Sequence, residues 1–203
     1  MKVYVLFFSD LCRKFQLEEC NPKGKSPCPS IDVFSTNYDN VIELYGRKNG
    51  TSVCDGYRYI GPHHVFDSDI FDSARDQVRL YKLHGTVTYA RLEDDSISRI
   101  TYFPKQGSLP IDGAVAFPDL IYPGIHTCVA REPQLELLHR LKRSLLAARV
   151  CIVLGYSFGD PHIRQIFLDS CDRNSALKVL SFVGTFDCVQ KLRWFSVSFA
   201  CKP

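Results

Sequence analysis

The clearest hydrophobic periodicity in the chain lies in its C-terminal half. From Pro133 to Ala148, apolar residues recur at the spacing of one face of a helix, which predicts an amphipathic helix. Arg140 is expected to point away from the apolar face. The residues expected on that face are Leu135, Leu138, Leu141, Leu145 and Ala148.

A second pattern follows directly after this helix. Val150–Leu154 is a continuous apolar run, typical of a strand buried on both faces in a parallel sheet. Asp160 before Pro161 predicts a helix N-terminus, with the helix running over residues 161–171. Another apolar strand is expected over residues 177–183. Strand, helix and parallel strand in this order form a right-handed βαβ unit, so we expect the α/β class.

The N-terminal half repeats this logic less regularly. Residues 31–35 predict a short strand, and a helix is expected to begin near Asn40. Turns are expected to dominate residues 50–61. The alternation over residues 76–83 predicts a strand that ends at a His-Gly pair, and residues 86–89 either extend that strand or pair with it. Together these elements predict a Rossmann-like parallel sheet with flanking helices.

Other stretches set the expected domain boundaries. We expect a helix remnant and a linker over residues 1–30, and an α/β domain over 31–185. Residues 93–125 contain several prolines and no steady period, which favours an irregular insertion. Residues 186–203 are expected to form a C-terminal tail.

Composition excludes several classes of protein. Hydrophobic residues make up 45% of 203 residues, enough for a globular core, and the net charge of +3 comes without a block of like charges. We therefore expect neither a nucleic-acid partner nor a membrane partner. The apolar run near Met1 is too short for a signal peptide or a membrane span, which predicts a cytoplasmic protein. The nine cysteines include no C-x-x-C pair, so we expect reduced thiols and no metal site.

One local motif suggests hydrolase chemistry. Gly155-x-Ser157-x-Gly159 between a strand and a helix has the layout of the α/β-hydrolase nucleophile elbow. That fold needs an acid and then a histidine after the serine, and only His162 follows, preceded by Asp160 alone. Ser157 is therefore expected to bind rather than to attack, and the hydrolase stays a less favoured alternative.

Four strings occur in order along the chain. They are Val33-Phe34-Ser35-Thr36-Asn37-Tyr38-Asp39, Asp55-Gly56-Tyr57, Tyr81-Lys82-Leu83-His84-Gly85-Thr86, and Leu154-Gly155-Tyr156-Ser157-Phe158-Gly159-Asp160-Pro161-His162-Ile163. As an ordered set over residues 31–185, they resemble the sirtuin-like (silent information regulator two-like) domain, in the branch common in bacterial defence proteins. An antiviral defence role is part of what this resemblance implies.

The resemblance also implies a ligand and residue roles. NAD is the expected ligand, and the expected reaction releases its nicotinamide. By resemblance, Asn37 orients the ribose and water, Asp39 lies on the carboxamide side, and His84 acts as the base, as suits a side chain that titrates near neutral pH. From the residues alone, the favoured role of Asn37 and Asp39 is to cap the helix near Asn40, and that of Asp160 is to cap the later helix. The implied cofactor-binding residues are Thr36, Gly85, Gly155, Ser157 and Asp160.

The chain also departs from the family pattern. The family opens with a glycine-rich GAG-x-S loop that cradles the pyrophosphate, and nothing like it precedes Ser35. We therefore expect an N-terminally truncated domain that hydrolyses NAD when the missing segment is supplied. A catalytically impaired domain that senses NAD or ADP-ribose is the alternative. The absence of zinc knuckles argues against a protein deacetylase. The expected ligand is NAD or a related nucleotide. Whether the chain also binds a second copy of itself or an effector domain is left open by the sequence.

Overall fold

The computed structural model describes residues 31–60, 63–74, 78–91, 97–99, 109–111, 114–120, 132–183 and 195–198. The chain divides into two compact units, with the boundary between Gln134 and Leu135. The helix remnant and the linker expected over residues 1–30 lie outside the described residues.

The first unit begins with alternating strands and helices. Its elements in chain order are β1 (Ile31–Ser35), α1 (Val41–Asn49), β2 (Val53–Cys54), β3 (Tyr57–Ile60), β4 (His63–Phe66), α2 (Asp69–Ser73) and β5 (Val78–Lys82). β1, β5 and β2 form a parallel sheet in the order β1-β5-β2, while β3 and β4 pair as an antiparallel hairpin. The predicted strands at both ends of this segment and the helix after Asn40 are confirmed.

The centre of this sheet is the best-buried part of the first unit. Val78 and Leu80 of β5 are fully buried, and the residues between and after them are largely buried too, as expected for a central parallel strand. The Tyr81 ring stacks against Phe34 and Phe71, with ring centroids 4.4 and 4.3 Å apart respectively. These apolar contacts fix the strand whose end carries the His-Gly pair.

The expectation of turns over residues 50–61 is wrong, because β2 and β3 both lie there. The two strands are short, and Gly56 between them has a φ of +82°. Short strands on either side of a left-handed glycine show no alternation long enough to be recognised in the sequence.

A second, antiparallel sheet completes the first unit. Its strands are β6 (Gly85–Arg91), β7 (Ile97–Arg99), β8 (Leu109–Ile111) and β9 (Ala114–Leu120), in the order β7-β6-β9-β8. Residues 86–89 therefore neither extend β5 nor pair with it. The expectation of an irregular insertion over 93–125 is wrong where the segment is described, because three strands lie there. Two of them have three residues each, and Pro118 interrupts the pattern of the third.

The second unit contains the predicted βαβ arrangement. α3 (Gln134–Ala147) begins at the boundary and is followed by β10 (Val150–Leu154), α4 (Pro161–Arg173), β11 (Lys178–Val183) and β12 (Phe195–Ser198). β10 and β11 are parallel, and β12 pairs with β11 in the antiparallel direction. The segment expected to be a C-terminal tail thus contributes a strand to this sheet. The α/β class with a parallel sheet and helices is confirmed.

The buried face of α3 differs from the predicted one. Leu137, Leu141 and Leu145 are buried, whereas Leu135 is 51% exposed. Arg140, expected to point away, is also buried, and its Nε donates to Glu136 Oε1 at 2.7 Å. The apolar stripe in the sequence is wider than the buried face, and the ion pair allows a charged side chain to occupy that face.

The prediction that β10 is buried on both faces is wrong. Val153 is buried, but Val150, Ile152 and Leu154 are substantially exposed. β10 is the edge strand in the order β10-β11-β12. A continuous apolar run indicates which residues prefer burial, but it does not show how many neighbours the fold provides.

Candidate functional site

The loop after β1 is bound to the turn after β5 through its backbone carbonyls. The Leu83 N–H donates to the Ser35 carbonyl at 2.9 Å. The Tyr38 carbonyl accepts two hydrogen bonds, from the Val87 N–H at 2.9 Å and from Thr86 Oγ1 at 3.0 Å. Backbone carbonyls accept all three bonds, which hold the loop of residues 36–40 at the carboxyl end of the parallel sheet.

Lys82 adds a charged contact to the same loop. Its ammonium donates to the Asp39 carbonyl and lies 3.5 Å from Glu43 Oε1 in α1. The Lys82 side chain is only 5% exposed. Sequence reasoning missed this residue as part of the site, although a lysine at the end of a predicted strand was a signal, since a buried ammonium needs a partner.

Asp39 and Asn37 both lie exposed on the loop. Asp39 Oδ1 accepts a hydrogen bond from the Val41 N–H at 3.2 Å, so it caps the start of α1, while Asn40 makes no side-chain cap bond. The Asn37 N–H donates to Ser35 Oγ at 3.2 Å, which orders the loop and leaves the Asn37 amide at the surface. Thr36, half-buried, precedes them.

His84 and Gly85 form the facing turn. Ser35 pairs with Lys82 in the parallel register, so Asn37 and His84 each lie two residues beyond the last pair. His84 is half-buried. Gly85 has a φ of +78°, a conformation that a residue with a Cβ adopts only with strain, and it turns the chain from β5 into the second sheet.

The second unit presents its predicted site residues between β10 and α4. Gly155 has a φ of +64°, and Ser157 is exposed. Asp160 Oδ1 accepts from the His162 N–H at 2.8 Å and from the Ile163 N–H at 3.2 Å, which makes Asp160 the N-cap of α4. This bonding confirms the cap predicted from the sequence.

Aromatic side chains fix the Gly155–Asp160 loop. Phe158 has a φ of +57°, which is strained for a bulky residue, and its ring lies edge-on to Tyr156 and Phe167, with centroids 5.2 and 5.1 Å away. Burial, followed by the negative charge of Asp160, raises the pKa of Tyr156 to about 12. Tyr156 is therefore a neutral packing residue at physiological pH.

The Asp55-Gly56-Tyr57 string has a structural role in the first unit. The Tyr89 hydroxyl donates to Asp55 Oδ2, and the rings of Tyr57 and Tyr89 stack with centroids 4.0 Å apart. Burial raises the pKa of Tyr89 well above its usual value. A Cβ on Gly56 would lie 2.6 Å from two ring carbons of Phe71. This string supports the sheet that carries the site.

The structure therefore brings together one group of predicted residues in the first unit. The loop residues Thr36, Asn37 and Asp39 lie at the same sheet end as His84 and Gly85. The other group, Gly155, Ser157 and Asp160, lies at the carboxyl end of β10 in the second unit. That both groups line one crevice stays a prediction.

Comparison with known proteins identifies the type of domain that carries these residues. The family model for the SIR2-like domain matches residues 32–191, more than three quarters of the chain. Among curated proteins no match was found. Within the described ranges, no helix is long and apolar enough to cross a membrane, and no three His, Cys, Asp or Glu side chains are grouped to hold a metal ion. The family match supports a sirtuin-like, NAD-related function.

Proposed function

Because this chain belongs to the family of SIR2-like domains, we propose that it binds NAD at the carboxyl ends of β1 and β5 and cleaves the nicotinamide–ribose bond. One observation carries the proposal: the hydrogen bonds from the Leu83, Thr86 and Val87 positions hold the Asn37 loop beside the His84 turn. In α/β sheets, ligands bind at this edge, beyond the carboxyl ends of the strands.

The site residues supply the groups that such a cleavage needs. Water attacks the ribose carbon as its bond to nicotinamide breaks, and nicotinamide leaves with the bonding electron pair as a neutral molecule. The water proton passes to the His84 imidazole, and the products are ADP-ribose, nicotinamide and a proton. The Asn37 amide both donates and accepts hydrogen bonds, so it can orient the ribose hydroxyls and the attacking water.

Asp39 can take part only in a restricted way. Its Oδ1 already accepts the Val41 N–H, which leaves Oδ2 to accept from the carboxamide NH₂ of nicotinamide. Lys82 does not serve the phosphates, because its ammonium is buried and bound to Glu43 and the Asp39 carbonyl. Phosphate binding would therefore rest on backbone N–H groups and on a glycine-rich segment, which these 203 residues do not hold as GAG-x-S.

The test is release of nicotinamide from NAD. We expect residues 1–203 to release it slowly, because several charge-assisted hydrogen bonds to the phosphates, each about 1.5–3 kcal/mol, are missing. The same chain fused to a GAG-x-S segment should turn over, and His84→Ala should abolish that turnover. His139→Ala is the matched control, since His139 is an exposed histidine on α3. If the fused chain and its His84→Ala variant release nicotinamide at equal rates, His84 is excluded as the base.

The second candidate is a sensing domain that binds NAD or ADP-ribose without cleaving it. The observation that favours it is that Asp39 and Asp160 each commit an oxygen to a helix N-terminus. For such a domain, ADP-ribose should raise the melting temperature of the fused chain while no nicotinamide is released. Loss of NAD with equimolar nicotinamide would exclude this candidate.

A further inference from the structure

Lys82 occupies a position that its own charge makes unfavourable. Its ammonium reaches the Asp39 carbonyl, immediately before the N-terminus of α1. The helix dipole places partial positive charge at that end, so a cation there is repelled rather than stabilised. Burial of the side chain adds a desolvation cost.

Glu43 compensates for this charge from the first turn of α1. Glu43 Oε1 lies 3.5 Å from the ammonium, and the Glu43 side chain is itself only 18% exposed. Its other oxygen, Oε2, is buried and finds no hydrogen-bond partner within the described ranges. A buried pair with one oxygen left unsatisfied is poor evidence for a role in stability, because an apolar pair of similar size would often be at least as stable.

The contacts of Lys82 indicate what the pair does instead. Lys82 ends β5, two residues before His84, and its ammonium holds a carbonyl of the loop that carries Asn37. The Lys82 side chain therefore connects β5, which ends two residues before His84, with the loop of residues 36–40 and with α1. Thr86 Oγ1 holds the neighbouring Tyr38 carbonyl from the other side of the turn.

We propose that Lys82, held by Glu43, is a positioning residue that sets the place of Asn37 and Asp39 relative to His84. The inference rests on the proposed function where ligand binding is concerned, but the position of the loop can be measured without any ligand. Lys82→Met keeps the length of the side chain and removes the ammonium. Arg79→Met is the matched control, because Arg79 lies on the same strand and pairs with Asp32 at 2.6 Å, away from the loop.

The first measurement is backbone hydrogen exchange at Val87. This N–H is bonded to the Tyr38 carbonyl, so it reports how firmly the loop is held. Lys82→Met should speed exchange at Val87 by about tenfold, the change expected for losing a hydrogen bond to a charged group, and leave the central amide of Leu80 unchanged. Arg79→Met should leave Val87 as in the unsubstituted chain. Unchanged exchange in Lys82→Met, or equal acceleration in Arg79→Met, would overturn the proposal.

The second measurement uses ADP-ribose as the probe on the chain fused to a GAG-x-S segment. Lys82→Met should weaken ADP-ribose binding by about tenfold, whereas Arg79→Met, at a similar melting temperature, should not. Glu43→Gln should also weaken binding. The double variant should be no worse than Lys82→Met alone, because Glu43 acts through Lys82. Affinity that falls equally in Arg79→Met would show a structural role only. If the unsubstituted chain does not bind, the proposed function fails, and the exchange result at Val87 still decides the positioning role.

Discussion

Replacing Gly56 with alanine should destabilise the first unit more than the same change at Gly46, Gly50 or Gly159. Gly56 combines two constraints that the other positions separate. Its φ of +82° lies in the left-handed region, and an added Cβ would lie 2.6 Å from Phe71 ring carbons and 2.9 Å from Phe66. Gly50 has only the left-handed φ, with nothing within 4 Å, and Gly46 has only the close contacts.

The magnitudes follow from these two constraints. A left-handed φ costs a residue with a Cβ about 1–2 kcal/mol. Overpacking against rigid neighbours costs about 1–3 kcal/mol. Gly56→Ala should therefore lower the free energy of unfolding by about 2–5 kcal/mol, and Gly50→Ala by about 1–2 kcal/mol. At Gly46 the contact with Val53 Cγ2 at 2.5 Å is partly offset by about 1 kcal/mol of improved helix propensity.

Gly159 serves as the neutral control. Its φ is not left-handed, and its nearest neighbour, Ser157 Oγ, would lie at an ordinary 3.6 Å from a Cβ. Gly159→Ala should change stability by less than about 1 kcal/mol. The assay is urea unfolding followed by far-ultraviolet circular dichroism on all four variants. Gly56→Ala no more damaging than Gly50→Ala would refute the close approach of the Phe71 ring and the structural role of the Asp55-Gly56-Tyr57 string.

Further predictions concern the second unit. Asp160→Ala should lower the free energy of unfolding, measured in urea, by about 0.5–2 kcal/mol. Asp160→Asn should lower it less, because asparagine also caps helices, and equal losses in the two variants would contradict the capping role. Burial, followed by the nearby Cys171, raises the pKa of Cys151 from 9.0 to about 11. As pH rises, the Cys151 thiol therefore loses its proton in the unfolded chain before it does so in the folded chain, and the free energy of unfolding should fall between pH 9 and about 11. Cys151→Ala should make that fall shallower. Identical pH dependence of the free energy of unfolding in both chains would count against burial of the thiol. A fluorophosphonate probe should leave Ser157 unlabelled, since only His162 follows it in the sequence and Asp160, the one acid between them, is bonded to the N-terminus of α4. Stoichiometric labelling seen by mass spectrometry would restore the hydrolase alternative.

Long periodic segments were predicted best from the sequence. α3 and α4 lie within one or two residues of their predicted bounds. β5 lies where an alternating pattern ends before His84, and β10 lies where an apolar run ends at Gly155. These elements carry enough residues to show a period, and Asp160-Pro161 marks a helix start by its own chemistry. The strands over 97–120 were missed, because three-residue strands and a proline leave no period to read.

The site was predicted only as far as residue types allow. The positions of Asn37 and His84 followed from the rule that polar residues at strand ends share one edge of a parallel sheet. The role of Lys82 could not be predicted in this way, because it depends on which carbonyl lies within reach of the ammonium. Only the register of β1 with β5 decides that. The exposure of Leu135 and β10 depends on the number of neighbouring elements, which local patterns do not encode.

The most direct test of the central claim is the imidazole resonance of His84 during a titration with NAD. The chain has six histidines, so the resonance is assigned with His84→Gln and compared with that of exposed His139. Because binding is expected to be weak without the glycine-rich loop, NAD is raised to several millimolar, where an affinity of about −4 kcal/mol is detectable. We predict a saturable shift of the His84 resonance that vanishes in Asn37→Ala, with His139 unmoved. A His84 resonance that stays fixed while other residues respond to NAD would contradict the account.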